Sequence, residues 1–268
     1  MIRSALFVPA DRAERIDKAL ASAADLVLVD LEDAVADSDK DAARDAVRAR
    51  LDVAEANSRL AVRINALTTI AGIRDLAVLA DRPPACVLLP KCESARDIIV
   101  LRGALGPDTG IIPLIESAAG LADCRAVAAA GVAAVMLGGV DLAAELGLEP
   151  GWEALRTARG MIVLACAEAG VPAIDAPFIA IDDMDALADE AKAARGIGFS
   201  AKAAIHPRQL DIINATWTPS AAELAFACEA LDAYLAAGER AIRHAGRMID
   251  APVARALRRT LARTSAHS

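Results

Sequence analysis

The sequence predicts an α/β fold, a (β/α)8 TIM barrel followed by a C-terminal helical extension. Three observations predict it. Short apolar runs recur about eight times along the chain, separated by longer Ala-rich segments with helical apolar spacing. The runs are continuously apolar rather than alternating, as parallel strands buried on both faces require. Several of the intervening segments close on glycine, which suits a helix C-terminus.

Taken in order, Ala5–Pro9 reads as the first strand, and Asp11 as the cap of a helix over Arg12–Ser22. Leu26–Leu31 is the second strand. The helix Asp39–Leu51 follows, with Ala43, Ala46, Val47 and Leu51 on one stripe. Leu60–Asn65 and Cys86–Lys91 are the third and fourth strands. A helix over Ser94–Leu105 leads to the strand Ile111–Glu116, and a helix over Ser117–Ala130 stops at Gly131. Ala134–Asp141 is the sixth strand. The helix Trp152–Ala169 stops at Gly170, before the strand Val171–Pro177. The helix Met184–Arg195 stops at Gly196, before the strand Lys202–Pro207. Residues 1–219 therefore form the barrel. Beyond Pro219 the character changes: Ser220–Ala237 and Pro252–Ala262 read as helices with no strand between them. Residues 220–268 form the extension, suited to an oligomer contact or a lid. A doubly wound sheet is disfavoured, because the G-x-G-x-x-A-like run Gly196–Ala201 precedes a strand instead of following one.

Composition excludes several classes. The chain has 268 residues, 37 Asp and Glu against 29 Lys and Arg, and a net charge of −8. That balance argues against nucleic acid, whose phosphates demand clustered positive charge. The longest uncharged apolar run, Ala126–Val140, is interrupted by Gly131 and falls short of the roughly 20 residues of a membrane span. The N-terminal apolar segment is too short for a secretory signal. Five cysteines, scattered and without a C-x-x-C pair, point to neither a disulfide framework nor a zinc site. A cytoplasmic location is expected.

Barrel enzymes carry their chemistry at the C-terminal ends of the strands. Here the runs end in Asp30, Glu32 and Asp33; in Arg63 and Asn65; in Lys91; and in Glu116, Asp141, Asp175 and His206. Glu116 and Asp141 end neighbouring strands. Two carboxylates without His or Cys suit Mg2+, which takes one or two protein carboxylates and leaves positions for water and substrate. Either acid can instead cap the helix that follows it. Arg63 offers a planar fork for a substrate carboxylate, or a salt bridge to Glu32 or Asp33. Lys91 can neutralise a ligand, pair with a rim acid or form a Schiff base. His206, before Pro207, can cap a helix or act chemically.

These residues sit in motifs that resemble a known family. Arg3-Ser4-Ala5-Leu6-Phe7-Val8-Pro9-Ala10-Asp11-Arg12 is followed by Asp30-Leu31-Glu32-Asp33-Ala34-Val35, Val62-Arg63-Ile64-Asn65, Pro90-Lys91-Cys92-Glu93-Ser94 and Leu114-Ile115-Glu116-Ser117-Ala118-Ala119-Gly120-Leu121. Gly138-Gly139-Val140-Asp141-Leu142, the run Gly198–Pro207 and Thr216-Trp217-Thr218-Pro219-Ser220 complete the series. Together they resemble the citrate lyase beta subunit-like proteins of the HpcH/HpaI aldolase/citrate lyase family, with malyl-CoA and citramalyl-CoA lyases as relatives. The resemblance implies a Mg2+-dependent carbon–carbon lyase, working as a homotrimer or hexamer. It would cleave a 3-hydroxyacyl thioester such as citryl-, malyl- or citramalyl-CoA into a 2-oxo acid and an acyl thioester. It also implies roles: Glu116 and Asp141 as metal ligands, Arg63 as the group that binds and polarises the oxo acid, and Glu32 and Asp33 as supports for metal waters and Arg63. Lys91 joins the catalytic set, and Gly139 and Val140 join Arg63 and Glu116 in contacting substrate.

The chain departs from the family pattern at Ala10, Ala176 and Ala201, where glycine is usual. It departs again at Ala245, in Arg243–Asp250, where lyase relatives place an Asp acid/base directly before the glycine. Two alternatives follow: a CoA-independent aldolase of pyruvate-type substrates, or a catalytically degenerate relative that binds an oxo acid or acyl-CoA.

Overall fold

The computed structural model describes residues 2–52 and 59–265. The chain forms two compact units, residues 2–213 and residues 214–268.

The first unit is the barrel. Its eight strands are β1 (Ser4–Pro9), β2 (Leu26–Asp30), β3 (Leu60–Arg63), β4 (Cys86–Leu89), β5 (Gly110–Ile115), β6 (Val135–Leu137), β7 (Ala173–Asp175) and β8 (Ala201–Ala204). They pair in parallel in chain order, and β8 closes onto β1 with Ser4 opposite Lys202. Apolar side chains fill the lumen: Ala5 from β1, Leu26 and Leu28 from β2, Ala61 from β3 and Leu88 from β4. Ile112 and Leu114 from β5, Met136 from β6, Ile174 from β7 and Ala201 and Ala203 from β8 complete it. Successive strand residues point to opposite faces, so the lumen positions advance in steps of two. The other phase, including Val27, Val29, Val62, Val87 and Val135, is equally buried and packs outward. Burial on both faces explains the unbroken apolar runs.

Several details differ from the sequence expectation: Arg12, not Asp11, stands at the N-cap of the first helix, and the helix from Met184 runs through Gly196 to Ile197. A helix over Ile70–Ala80 lies between β3 and β4, capped by the Thr69 hydroxyl, which accepts from the Gly72 N–H. Its apolar residues surround the axis, and Ile70 and Ile73 are exposed, so no amphipathic stripe marks it. The expected helix Ser117–Ala130 breaks at Asp123 into Ala118–Ala122 and Cys124–Ala129. The sixth apolar run leaves the sheet after Leu137 and turns into the helix Gly139–Glu145, which therefore holds Asp141. The helix expected from Trp152 starts at Arg156.

The second unit corrects the expectation of helices with no strand between them. The helices Ala221–Ala236 and Ala251–Ser265 are separated by an antiparallel hairpin, β9 (Ile242–His244) with β10 (Arg247–Ile249). Ala245 and Gly246 form its turn with φ of +45° and +80°, the left-handed pair that a two-residue hairpin loop requires. Ala230, Leu231, Tyr234, Ile249 and Ala254 form its core. Ser220 and Glu223 cap the first helix reciprocally. Among the described residues no helix is long and apolar enough to cross a membrane.

Candidate active site

The two-residue step of the lumen decides which strand-end residues meet. Continuing the inward phase from Leu28 gives Asp30, from Ala61 gives Arg63 and from Leu114 gives Glu116. Continuing it from Met136 gives Gly138. These positions lie at the C-terminal mouth, directly above the apolar filling.

Asp30 grips Arg63 through both oxygens, with Nε to Oδ1 at 2.7 Å and Nη2 to Oδ2 at 2.5 Å. Glu32 Oε2 lies 3.0 Å and Asp33 Oδ2 3.4 Å from Nη1. The salt bridges expected from Arg63 to Glu32 and Asp33 are therefore present. Asp30, not among the partners expected for Arg63, is the principal one. Phe7 stacks beneath the guanidinium, 5.3 Å from ring centroid to Cζ. Burial works against the charge on Arg63, but the hydrogen bonds and charges of Asp30, Glu32 and Asp33 outweigh it, so its pKa lies above the ordinary value.

Glu116 is buried. Its Oε1 accepts from the Lys91 backbone N–H at 2.7 Å, while its Oε2 is buried with no hydrogen-bond partner. Burial pushes the carboxyl up to about 7, and the nearby Asp141 adds to the shift. Glu32 is raised to about 7 as well, first by burial and then by the charges of Asp33 and Glu116. The Lys91 ammonium lies between the acid pair, 3.6 Å from Glu116 and 3.8 Å from Asp141. Burial opposes its charge, but four carboxylates prevail and hold its pKa above the ordinary value. A lysine kept protonated in this way is unsuited to a Schiff base.

Arg63, Asp33, Glu116, Gly139, Val140 and Asp141 line one cavity of about 210 Å³. A second cavity of about 400 Å³ shares Phe7, Asp33, Arg63 and Pro177 with it and is otherwise mostly apolar, lined by Val8, Pro9, Ala34 and Ile205 with Asp30. The mouth thus has a charged lobe and an apolar lobe that meet at Arg63.

The charged lobe fits a hard divalent cation. Among the described residues no three His, Cys, Asp or Glu side chains converge into a complete metal cage. Two carboxylates do converge, one of them with an orphaned oxygen. Gly138 leaves that oxygen room, because a Cβ there would stand 2.8 Å from Glu116 Oε2. Two protein oxygens plus water and substrate is a Mg2+-type donor set.

Four further residues near the strand ends do other work. Asp175 and Lys202 fall on the outward phase of β7 and β8. Both are fully buried and 2.6 Å apart, within a network that includes Arg159 and Glu190. His206 caps the turn Pro207–Gln209, its Nδ1 accepting from the Arg208 N–H at 3.2 Å. Asn65 belongs to a second buried network, which sequence reasoning missed. The Lys40 ammonium donates to the Leu31 and Glu32 carbonyls and to Asn65 Oδ1, at 2.8–3.0 Å. Asn65 donates in turn to Asp75, which Arg44 holds at 2.7 Å. This network pins the backbone of the loop that carries Glu32. A buried Lys and Arg in the helix Lys40–Leu51 were the available signal.

The chain is similar to known proteins over most of its length. The model of the HpcH/HpaI aldolase/citrate lyase family matches residues 3–207. A (3S)-malyl-CoA thioesterase of Cereibacter sphaeroides is 35% identical over 246 residues, covering 90% of this chain and 85% of the relative. An L-malyl-CoA/beta-methylmalyl-CoA lyase of the same species is 32% identical over 292 residues, covering 92% and 90%. The crystal structure of CitE from Mycobacterium tuberculosis in complex with magnesium, acetoacetate and coenzyme A superposes with a TM-score of 0.85 at 38% identity, covering 98% of this chain and 97% of that one.

Proposed function

This chain belongs to the HpcH/HpaI aldolase/citrate lyase family, and we propose that it is a Mg2+-dependent lyase that reversibly cleaves a 3-hydroxyacyl-CoA thioester into a 2-oxo acid and an acyl-CoA. One observation carries this reading: Arg63, Glu116 and Asp141 converge on a single cavity at the barrel mouth. The relatives that act on malyl-CoA, and the CitE complex with magnesium, acetoacetate and coenzyme A, support it.

Glu116 and Asp141 would hold the magnesium ion, and Gly138 keeps space beside them. When bound, the ion supplies Lewis-acid polarisation of the substrate oxygens. Arg63, fixed by Asp30 and flanked by Glu32 and Asp33, orients the oxo-acid portion and stabilises the negative charge that develops on its oxygen. Cleavage removes the proton of the substrate hydroxyl and forms the carbonyl of the 2-oxo acid. The electron pair of the broken C–C bond leaves as the thioester enolate, which a proton then quenches. Glu32, poised near neutrality, is the residue here suited to accept the hydroxyl proton. Gly139 and Val140 border the oxo acid, and the apolar lobe beyond Arg63 takes the acyl portion.

Ala245 favours a second reading, thioester hydrolysis. The acid that lyase relatives place before the hairpin glycine is absent, and one relative is named a thioesterase. Incubation with malyl-, citramalyl- and citryl-CoA separates the two. Magnesium-dependent release of 2-oxo acid without free thiol supports the lyase. Free thiol and intact hydroxy acid support hydrolysis. Neither product from any thioester refutes both readings.

A further inference from the structure

We propose that Lys91 is a resident counter-ion that competes with the divalent cation for Glu116 and Asp141 and so sets the cation affinity of the site. The inference rests on the assignment of those two acids as cation holders, and it concerns this chain's own lysine. The Lys91 ammonium lies 3.6 Å from Glu116 Oε1 and 3.8 Å from Asp141 Oδ2. These distances neutralise the pair without the directional hydrogen bonds that would lock the lysine in place. The side chain is 47% exposed, so the ammonium can swing into water when displaced. Its backbone cannot follow. Lys91 has φ of +50°, a left-handed conformation that costs a non-glycine residue energy, and its N–H is bonded to Glu116. The residue therefore stays tethered beside the acids even when its ammonium is displaced.

The charge arithmetic gives the arrangement a purpose. A monovalent cation that displaces an ammonium exchanges one unit charge for another and gains little. A divalent cation gains a second unit of attraction. Displacing the ammonium costs the same whichever cation enters, so Lys91 weakens binding of every cation; a monovalent ion is then left with almost no gain, while Mg2+ keeps its second unit of attraction to the acid pair.

The test is calorimetric titration with magnesium chloride, which needs no substrate. Lys91→Met removes the charge at similar length and should tighten Mg2+ by about tenfold. Lys91→Arg keeps the charge and should stay within about twofold of the wild type. A gain of affinity cannot arise from damage to the fold. Unchanged or weaker binding in Lys91→Met, or equal tightening in Lys91→Arg, would overturn the proposal. Glu116→Gln serves as the reference. If it abolishes binding while Lys91→Met has no effect, the cation site stands and the competition does not. If Glu116→Gln binds Mg2+ as tightly as the wild type, the site assignment itself fails.

Discussion

Gly138 presses against Glu116 so closely that a methyl group on Gly138 would come within 2.4 Å of the glutamate Cβ. No Cβ can occupy that space unless the glutamate moves. Gly138→Ala is therefore expected to displace the carboxylate, cost about 1–3 kcal/mol of stability and lose most Mg2+ affinity. Thermal melting and calorimetric titration of the same preparation check both effects.

Arg63 is held in its plane by three carboxylates, and only a guanidinium can meet Asp30 in a two-point fork while turning toward the substrate. Arg63→Lys keeps the charge and loses the fork. We expect kcat/KM to fall about a hundredfold, measured by steady-state release of 2-oxo acid. A loss smaller than threefold would show that charge alone suffices.

Burial raises the Glu116 and Glu32 carboxyls from the ordinary 4.5 to about 7. Between those values the metal-free folded chain binds more protons than the unfolded one. Its stability therefore falls as pH rises through this window, and the loss is complete above about 7. Magnesium favours the charged carboxylate and must displace the proton at low pH. The rise in Tm on adding magnesium chloride is accordingly expected to be larger at pH 8 than at pH 5.5. Equal shifts at both pH values would contradict it.

Lys202 and Asp175 form a fully buried pair on the outward face of the barrel. Lys202→Met leaves Asp175 and Glu190 without their ammonium, and we expect a cost of about 3–5 kcal/mol. Lys192→Met, at a residue paired with the exposed Asp189, should change stability by less than about 0.5 kcal/mol. Urea denaturation of the two variants gives the comparison.

Burial holds the thiols of Cys86, Cys92 and Cys166 up at about 12, and Cys124 is buried as well. Cys228 alone among the five is exposed. The folded chain should therefore release one equivalent of thiolate chromophore quickly in a thiol-exchange assay, and five after denaturation.

The barrel was legible because burial on both faces leaves unbroken apolar runs. Glu116 follows such a run directly, whereas Asp141 lies past the strand, in the helix Gly139–Glu145. The division of labour among strand-end residues was not read. Asp175 ends an apolar run just as Glu116 does, and only strand phase separates the two. Counting in twos from Ile174 turns Asp175 outward, toward Lys202. The bond from Lys40 to Asn65 spans 25 residues and that from Arg44 to Asp75 spans 31, and no local pattern announces contacts of that reach. The hairpin leaves little trace in the sequence, because its outward positions carry Arg243 and Met248, which blur the alternation of a short strand.

The alternation along β5 and β6 makes this mouth far more sensitive to the number of residues than to their identity. Deleting one residue within Gly110–Ile115 would rotate Glu116 beneath the helices and deliver a neighbouring side chain to the mouth. An exchange of one apolar residue for another in the same strand leaves the lettering of the lumen in frame. Length variation among homologous chains should therefore collect in the connections between strands and helices, while the strands keep a constant count up to the acids.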